Sequence, residues 1–299
     1  MSGERLSSLA VVMVLGAVVM WSSGFPLIKV GLQFVPPLTF AFIRYSIAAM
    51  MMAVILVRRK GMGGMVEEFR SDWRVFVLVG IFGTAIPNAL LFIGLQYTSA
   101  SLSAIIQASG PVWTVVFAII LLEEYLGVDK VVGSVIAILG TVLLVGQGGI
   151  DLGDESFLGN LIILGVPISY AMYSVVSKVA LRDHHPLDVV GWGLIVGAVL
   201  LMGTTSLEFG ASMNPTAEFA VIVVALGLFP GCIAFLLYNY VLRTSEVSSL
   251  AFFIYLIPVF ATLLSVVFLG ETVTPATILL ADLIILGVAI AQYRPITRF

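Results

Sequence analysis

The chain has 299 residues, of which 60% are hydrophobic and 10% charged, with a mean hydropathy of +1.15 and a net charge of −3. A soluble globular chain carries about a quarter charged residues, so water is excluded as the solvent for most of this surface and lipid is expected in its place. So small a net charge gives no reason to expect nucleic acid, and a lone cysteine, Cys232, excludes both an intrachain disulfide and a paired-cysteine metal site.

Span 1, residues 8–32, follows Arg5 and runs on through Trp21 and Pro26, too long for the apolar core of a cleaved leader, so a membrane helix is expected. It also carries Ser22, Ser23 and an embedded Lys29. Span 2 (38–57) contains Arg44, and the longest polar connection follows it, from Arg58 to Trp73. Span 3 (74–96) holds Pro87 and Asn88. Span 4 (101–122) holds Gln107, Pro111 and Trp113 and ends beside Glu124, while span 5 (130–147) has no embedded charge or proline. Span 6 (157–181) brings Pro167, Tyr170, Tyr173, Ser174 and Lys178. In the connection after it, His184 and His185 are adjacent without further ligands, which makes a poor metal site, so no metal is expected. Span 7 (187–207) carries Trp192, and span 8 (219–242) carries Pro230, Tyr238 and Asn239. Span 9 (247–269) carries Tyr255 and Pro258 and ends beside Glu271; span 10 (276–293) carries Asp282. Each is long enough to cross roughly 30 Å of hydrocarbon, and backbone groups in lipid must bond internally, so these are predicted helices.

The basic residues set an orientation. With the N-terminus inside, Arg5, Arg58, Arg59, Lys60, Arg70, Arg74, Lys130, Arg182, Arg243, Arg294 and Arg298 all fall on the cytoplasmic side, and the outer loops receive none. Such segregation predicts a multi-pass protein of the bacterial inner membrane with both termini cytoplasmic.

The two halves also repeat. Residues 126–145 align with 273–292 at an offset of 147, which pairs Glu124 with Glu271, Pro111 with Pro258 and Gly140 with Gly287. Near the start of each half an offset of 149 pairs Trp21 with Tyr170, Lys29 with Lys178 and Pro37 with Pro186. Five spans per half is an odd number, so the second half enters the membrane upside down. The predicted fold is therefore an all-α integral membrane protein of ten helices in two inverted five-helix repeats, 1–150 and 151–299, around a central cavity. That is the architecture of alternating-access carriers, with substrate held at the midplane.

Pro26, Pro87, Pro111, Pro167, Pro230 and Pro258 lie inside spans 1, 3, 4, 6, 8 and 9, the same three helices of each half. A mid-helix proline removes a backbone bond and frees a carbonyl, tolerable in lipid only against protein or a wet cavity. Those six spans are predicted to line the cavity and to hinge, and spans 2, 5, 7 and 10 to form a scaffold.

The motifs W-S-S-G-F (21–25), I-R-Y (43–45), P-V-W…L-L-E-E-Y-L-G (111–127) and I-P-V-F…F-L-G-E-T (257–272), in this order and duplication, resemble the EamA-type branch of the drug/metabolite transporter superfamily. The resemblance implies a ten-helix carrier that exports amino acids, aromatic ones among them, or related small metabolites. Asp282 departs from the internal pattern, its mate being Val135, and the family supplies no role for it.

The substrate-binding residues expected are Trp21, Ser22, Ser23, Asn88, Gln107, Tyr170, Tyr173, Tyr238, Asn239 and Tyr255, aromatics with polar edges suited to a zwitterion with an apolar body. The embedded charges Lys29, Arg44, Lys178 and Asp282 each cost roughly 2.5–3.5 kcal/mol at mid-helix. Lys29 and Arg44 could attract a carboxylate, or Arg44 could cap loop carbonyls; Lys178 is expected to snorkel, and Asp282 could relay protons but is expected to pair with a basic neighbour. Glu124 and Glu271 are expected to cap the helices that follow them. Trp73 reads as an interfacial residue, while Trp113 and Trp192 fit either a cavity or a packing role.

With no Gly-x-x-x-x-Gly-Lys-Ser/Thr loop, neither ATP nor any other cofactor is expected. The expected partners are a small-molecule substrate and membrane lipid, with no nucleic acid; a monomer is the simplest assembly, higher ones being left open. An intramembrane enzyme would need a nucleophile–base pair or paired aspartates at membrane depth, and one aspartate and no histidine lie there. A passive channel or facilitator is the other alternative.

Overall fold

The structure, a computed structural model, describes residues 8–110, 112–113, 116–117, 128–145, 155–244 and 256–292. Among these residues there are helices and turns and no strand. The helices are α1 (Ser8–Gly31), α2 (Pro37–Gly80), α3 (Ile86–Tyr97), α4 (Ala100–Gln107), α5 (Val128–Val145) and α6 (Glu155–Asp183), then α7 (Pro186–Thr204), α8 (Ala217–Leu228), α9 (Ala234–Thr244), α10 (Leu256–Leu269) and α11 (Pro275–Gln292). Each predicted span contains described helix. Five stretches, Ser8–Gly31, Pro37–Tyr97, Glu155–Asp183, Pro186–Glu208 and Ala217–Val241, are long and apolar enough to cross a membrane.

The predicted polar connection between spans 2 and 3 is not a loop. Helix α2 runs through it, breaking only at Gly61 (φ 71°, ψ 166°) and Asp72 (φ −135°, ψ 34°). The intervening segment is helical because it has something to pack on. Met65 is buried, Phe69 lies 4.5 Å from the Trp192 ring, and Lys60 Nζ reaches Glu68 at 2.6 Å. Trp192 thus belongs to a packed cluster with Leu56 and Phe76, whereas Trp73 is exposed.

The end of the molecule carrying Arg59, Lys60 and Arg182 is termed the basic end. Here Asp188, at the start of α7, is buried and takes Arg59 at 3.2 Å and Lys60 at 2.8 Å. Burial alone would lower the Lys60 pKa, but its hydrogen bonds to Asp188 and Glu68 outweigh that and hold it above the usual lysine value. The histidines are not a free loop pair. His184 is mostly buried against Asp72 (3.0 Å), and His185 caps α7 by accepting from the Leu187 N–H. No cluster of metal-ligating side chains occurs among the described residues.

Contacts recur in symmetric pairs: span 1 on spans 8 and 9, span 6 on spans 3 and 4, and span 5 on span 10. The close approaches repeat as well. A β-carbon on Gly80 would lie 2.7 Å from Val196, and one on Gly227, its mate, 2.9 Å from Ile47, the mate of Val196. Gly140 and Gly287, paired by sequence alone, both sit at the crossing of α5 and α11, where a β-carbon on Gly287 would meet the Ala137 backbone nitrogen at 2.4 Å.

Spans 3 and 8 each contain a π-helical turn at corresponding positions, Ile81–Ala85 and Phe229–Ile233. Pro87 follows the first and Pro230 lies in the second. Such turns loosen the i→i−4 ladder and concentrate at functional sites, and carbonyls of both accept from side chains. Ser169 Oγ donates to Phe82 O (3.1 Å) and Asn88 Nδ2 to Thr84 O (2.8 Å) at the first; Trp21 Nε1 donates to Pro230 O (3.2 Å) at the second.

Candidate functional site

A cavity of about 220 Å³ lies between the halves. A void near 150 Å³ holds benzene, so this one has room for a ring bearing a few more atoms. Its wall comes from spans 1, 2, 3, 4, 6, 8 and 9. Span 2 is an addition to the predicted set: it contributes Arg44 and Tyr45, without having any proline to mark it. The described residues of spans 5, 7 and 10 contribute nothing to the wall, which is lined by Trp21, Asn88, Gln107, Tyr170, Tyr173 and Tyr238 among the expected residues, together with Pro167 and Pro258.

Other expected residues do not line it. Ser22 is buried and bonds the carbonyls of Val18 (2.7 Å) and Ile257 (3.3 Å), and Ser23 bonds Met20 O. Asn239 is buried and turns its amide to Phe235 O. All three spend hydrogen bonds on helix carbonyls. Trp113, likewise away from the cavity, bonds Ser109 Oγ at 3.2 Å. Tyr255, Pro111 and Glu124 lie outside the described residues. Pro26, Pro87 and Pro230 are buried within the bundle.

The cavity has two chemically different ends. Trp21 meets Phe235 and Tyr238 edge-on, each at 5.4 Å, and Tyr170 meets Tyr173 at 6.4 Å. Tyr173 and Tyr238 are half-buried and Ser174 is exposed, so this aromatic part opens toward the basic end. Arg44, Tyr45 and Asn88 are 4%, 1% and 1% exposed and close the other end. Tyr45 donates its hydroxyl to Asn88 Oδ1 (2.7 Å), which ties it to the first π turn through the Asn88 amide. The Arg44 guanidinium carbon stands 4.9 Å from the Tyr45 ring centre and 5.7 Å from that of Phe92.

The two cations embedded in spans 1 and 2 have opposite assignments. Lys29 is absent from the cavity wall, and its Nζ donates to Leu95 O and Thr98 O, both at 2.6 Å, capping the last turn of α3. Arg44 faces the cavity and spends one donor, Nε, on Leu226 O at 3.3 Å. That carbonyl is four residues before Pro230, whose ring nitrogen has no hydrogen to give it. Lys178 is exposed on α6 and outside the wall. Asp282 is exposed on α11, on the same face as Ile278 and Leu286, and makes no ion pair among the described residues.

Glu271 departs from expectation. It does not cap α11, which follows it and is capped by Thr274 (accepting from Thr277 N–H, 3.1 Å). Its two carboxylate oxygens instead accept the Ala100 and Ser101 N–H groups (2.8 and 2.9 Å) at the start of α4 in the other half. Glu208 does the same for α2, taking Leu38 and Thr39 N–H at 2.8 Å each. Both bonds join the halves at the end opposite the basic one.

The model of the EamA-like transporter family matches residues 8–146 and again 157–293. The chain is 28% identical to the uncharacterized transporter YyaM of Bacillus subtilis over 94% of its length and 92% of the relative's. It is 27% identical, at the same coverage of both chains, to a probable terminal-alkyne amino-acid exporter of Streptantibioticus cattleyicolor. A solved crystal structure superposes with a TM-score of 0.68 and 26% identity, covering 96% of this chain and 97% of the other.

Proposed function

We propose, for a chain that belongs to the EamA-like transporter family, export of amino acids or closely related small metabolites across the bacterial inner membrane by alternating access between its inverted halves. The observation that carries this reading is the shape of the cavity: closed beyond Arg44 and Tyr45, open past Tyr173 and Ser174 toward the basic end. By the segregation of lysine and arginine the basic end is cytoplasmic, so substrate loads from inside. A passive channel would need a continuous path, and the closed end speaks against one. The amino-acid preference draws on the aromatic lining and on the likeness to the probable amino-acid exporter of Streptantibioticus cattleyicolor.

Reconstitution into liposomes tests the reading. Saturable uptake of a labelled aromatic amino acid, with counterflow, is the expected result; flux that never saturates, or none for any amino acid tried, overturns it. Within the same assay Trp21→Ala and Tyr238→Ala each take a ring out of the cavity wall, and with it a contact to an aromatic substrate worth about 0.5–1.5 kcal/mol. Flux at low substrate should fall roughly three- to tenfold, while Leu143→Ala, on the exposed face of α5, leaves it unchanged.

Orientation is tested separately. In a Cys232→Ser background, cysteine at the exposed position Asn214 should react with an impermeant thiol reagent added to intact cells, and cysteine at the exposed Gly63 should not. The reverse pattern would place the basic end outside and make the open cavity an import conformation.

A further inference from the structure

We propose that Arg44 is the residue that binds a carboxylate of the transported molecule, and that the substrate enters the cavity carboxylate-first. This rests on the transporter reading above and adds to it the charge and the orientation of what is carried.

Three observations bear on it. Arg44 is 4% exposed, lines the cavity and forms part of its closed end. Its guanidinium has one hydrogen bond, from Nε to Leu226 O, and no carboxylate pairs with it among the described residues. The Nη1 and Nη2 donors, the fork that matches a carboxylate bidentately, have no protein acceptor there. A buried cation held by its inner nitrogen and by two aromatic faces, with its outer donors unused, is positioned to receive an anion. Among the described residues no acidic side chain lines the cavity, so none of them neutralises the guanidinium.

The same wall limits which anion. One guanidinium balances one negative charge, whereas a phosphate monoester brings about −1.5 to −2 at neutral pH. A monocarboxylate therefore fits better than a phosphate. Behind the anion the lining turns to Trp21, Phe235, Tyr238, Tyr170 and Tyr173, which offer ring faces to an apolar body and to an ammonium group. Lys29 does not compete for the anion, because its ammonium is bonded to two helix-end carbonyls outside the cavity.

The test uses purified full-length protein in detergent, with thermal stabilisation and Trp fluorescence as binding readouts, separate from flux. The probes are 3-phenylpropionate, L-phenylalanine, L-phenylalaninamide and phenyl phosphate. Wild type is expected to bind the two carboxylates at least tenfold more tightly than the amide and the phosphate. Arg44→Gln should abolish that preference, and Arg44→Lys, which keeps the charge but not the fork, should weaken carboxylate binding while retaining the order. If Arg44→Gln does not fold, the wild-type series and Arg44→Lys still decide. Equal binding of acid and amide by wild type overturns the proposal, as does preference for the phosphate, a carboxylate preference surviving in Arg44→Gln, or no response to any carboxylate. Absent flux with intact carboxylate-selective binding would instead defeat the transporter reading and leave the Arg44 assignment standing.

Discussion

Replacing Glu271 by alanine is expected to open the end of the transporter opposite the basic one. The Glu271 carboxylate holds the Ala100 and Ser101 N–H groups, and Ser99 Oγ accepts from Leu102 N–H at 3.0 Å, so together they satisfy the first-turn donors of α4. An anion at a helix N-terminus is favoured by the helix dipole as well. Lys29 sits on the same corner, holding the carbonyls of Leu95 and Thr98 immediately before α4. Hydrogen bonds to a charged group contribute about 1.5–3 kcal/mol, and because Glu271 is only half-buried the lower value applies. States in alternating access differ by a few kcal/mol, and about 1.4 kcal/mol changes a population ratio tenfold. Spin labels at the exposed Gln33 and Thr272, one from each half, should therefore gain a longer-distance component in Glu271→Ala and a smaller one in Glu271→Gln. An unchanged distance distribution would mean that this bond is not a latch.

The larger effect on stability is expected at Gly287. A β-carbon there meets Ala137 N at 2.4 Å, Gly133 O at 2.8 Å and Ala137 Cα at 2.9 Å, all backbone atoms that cannot rotate aside. Gly287→Val must separate α5 from α11, and overpacking of this kind costs typically about 1–3 kcal/mol. Its mate Gly140 meets chiefly the Ile284 side chain, at 3.0 Å, so Gly140→Ala should be tolerated better than Gly287→Ala although the two glycines are related by the repeat. Gly203→Val, with open space around it, serves as the control. Melting followed by size-exclusion chromatography should rank Gly287→Val lowest, then Gly287→Ala, Gly140→Ala and Gly203→Val. Equal melting of the two alanine variants would argue against the backbone contact.

Much of this architecture was legible from the sequence because lipid leaves little freedom: an apolar run must be a helix, and lysine and arginine mark where each one ends. The aromatic half of the cavity followed from the prolines in spans 1, 6 and 8. Its cationic half did not. Arg44 and Tyr45 sit in span 2, which has no proline; Arg44 stood out as an embedded charge, and Tyr45 only by its place in the I-R-Y motif. Lys29 and Arg44 could not be told apart, because both are embedded cations at similar depth, and which one caps a helix depends on where α3 ends. Glu271 was expected to cap the next helix in sequence. It reaches α4 instead because the fold brings that helix closer, a tertiary fact with no local signal. The segment after Lys60 looked like a loop by polarity, yet Met65 and Phe69 had the means to pack it as a helix.

The two π turns carry a consequence for insertions and deletions. Such a turn contains about one residue more than an α-helix needs for the same advance, so the segments flanking it keep the alignment they would have with that residue absent. In an ordinary helix, removing one residue rotates everything beyond it by about 100°, which for span 3 would turn Asn88 and Leu91 out of the cavity. Removing one residue from 81–85 or from 229–233 would instead convert the turn to regular helix and leave the facing of Asn88 or Tyr238 nearly as it is. Among the described residues these are the two places inside the spans where chain length can drift by one without the wall of the cavity being lost.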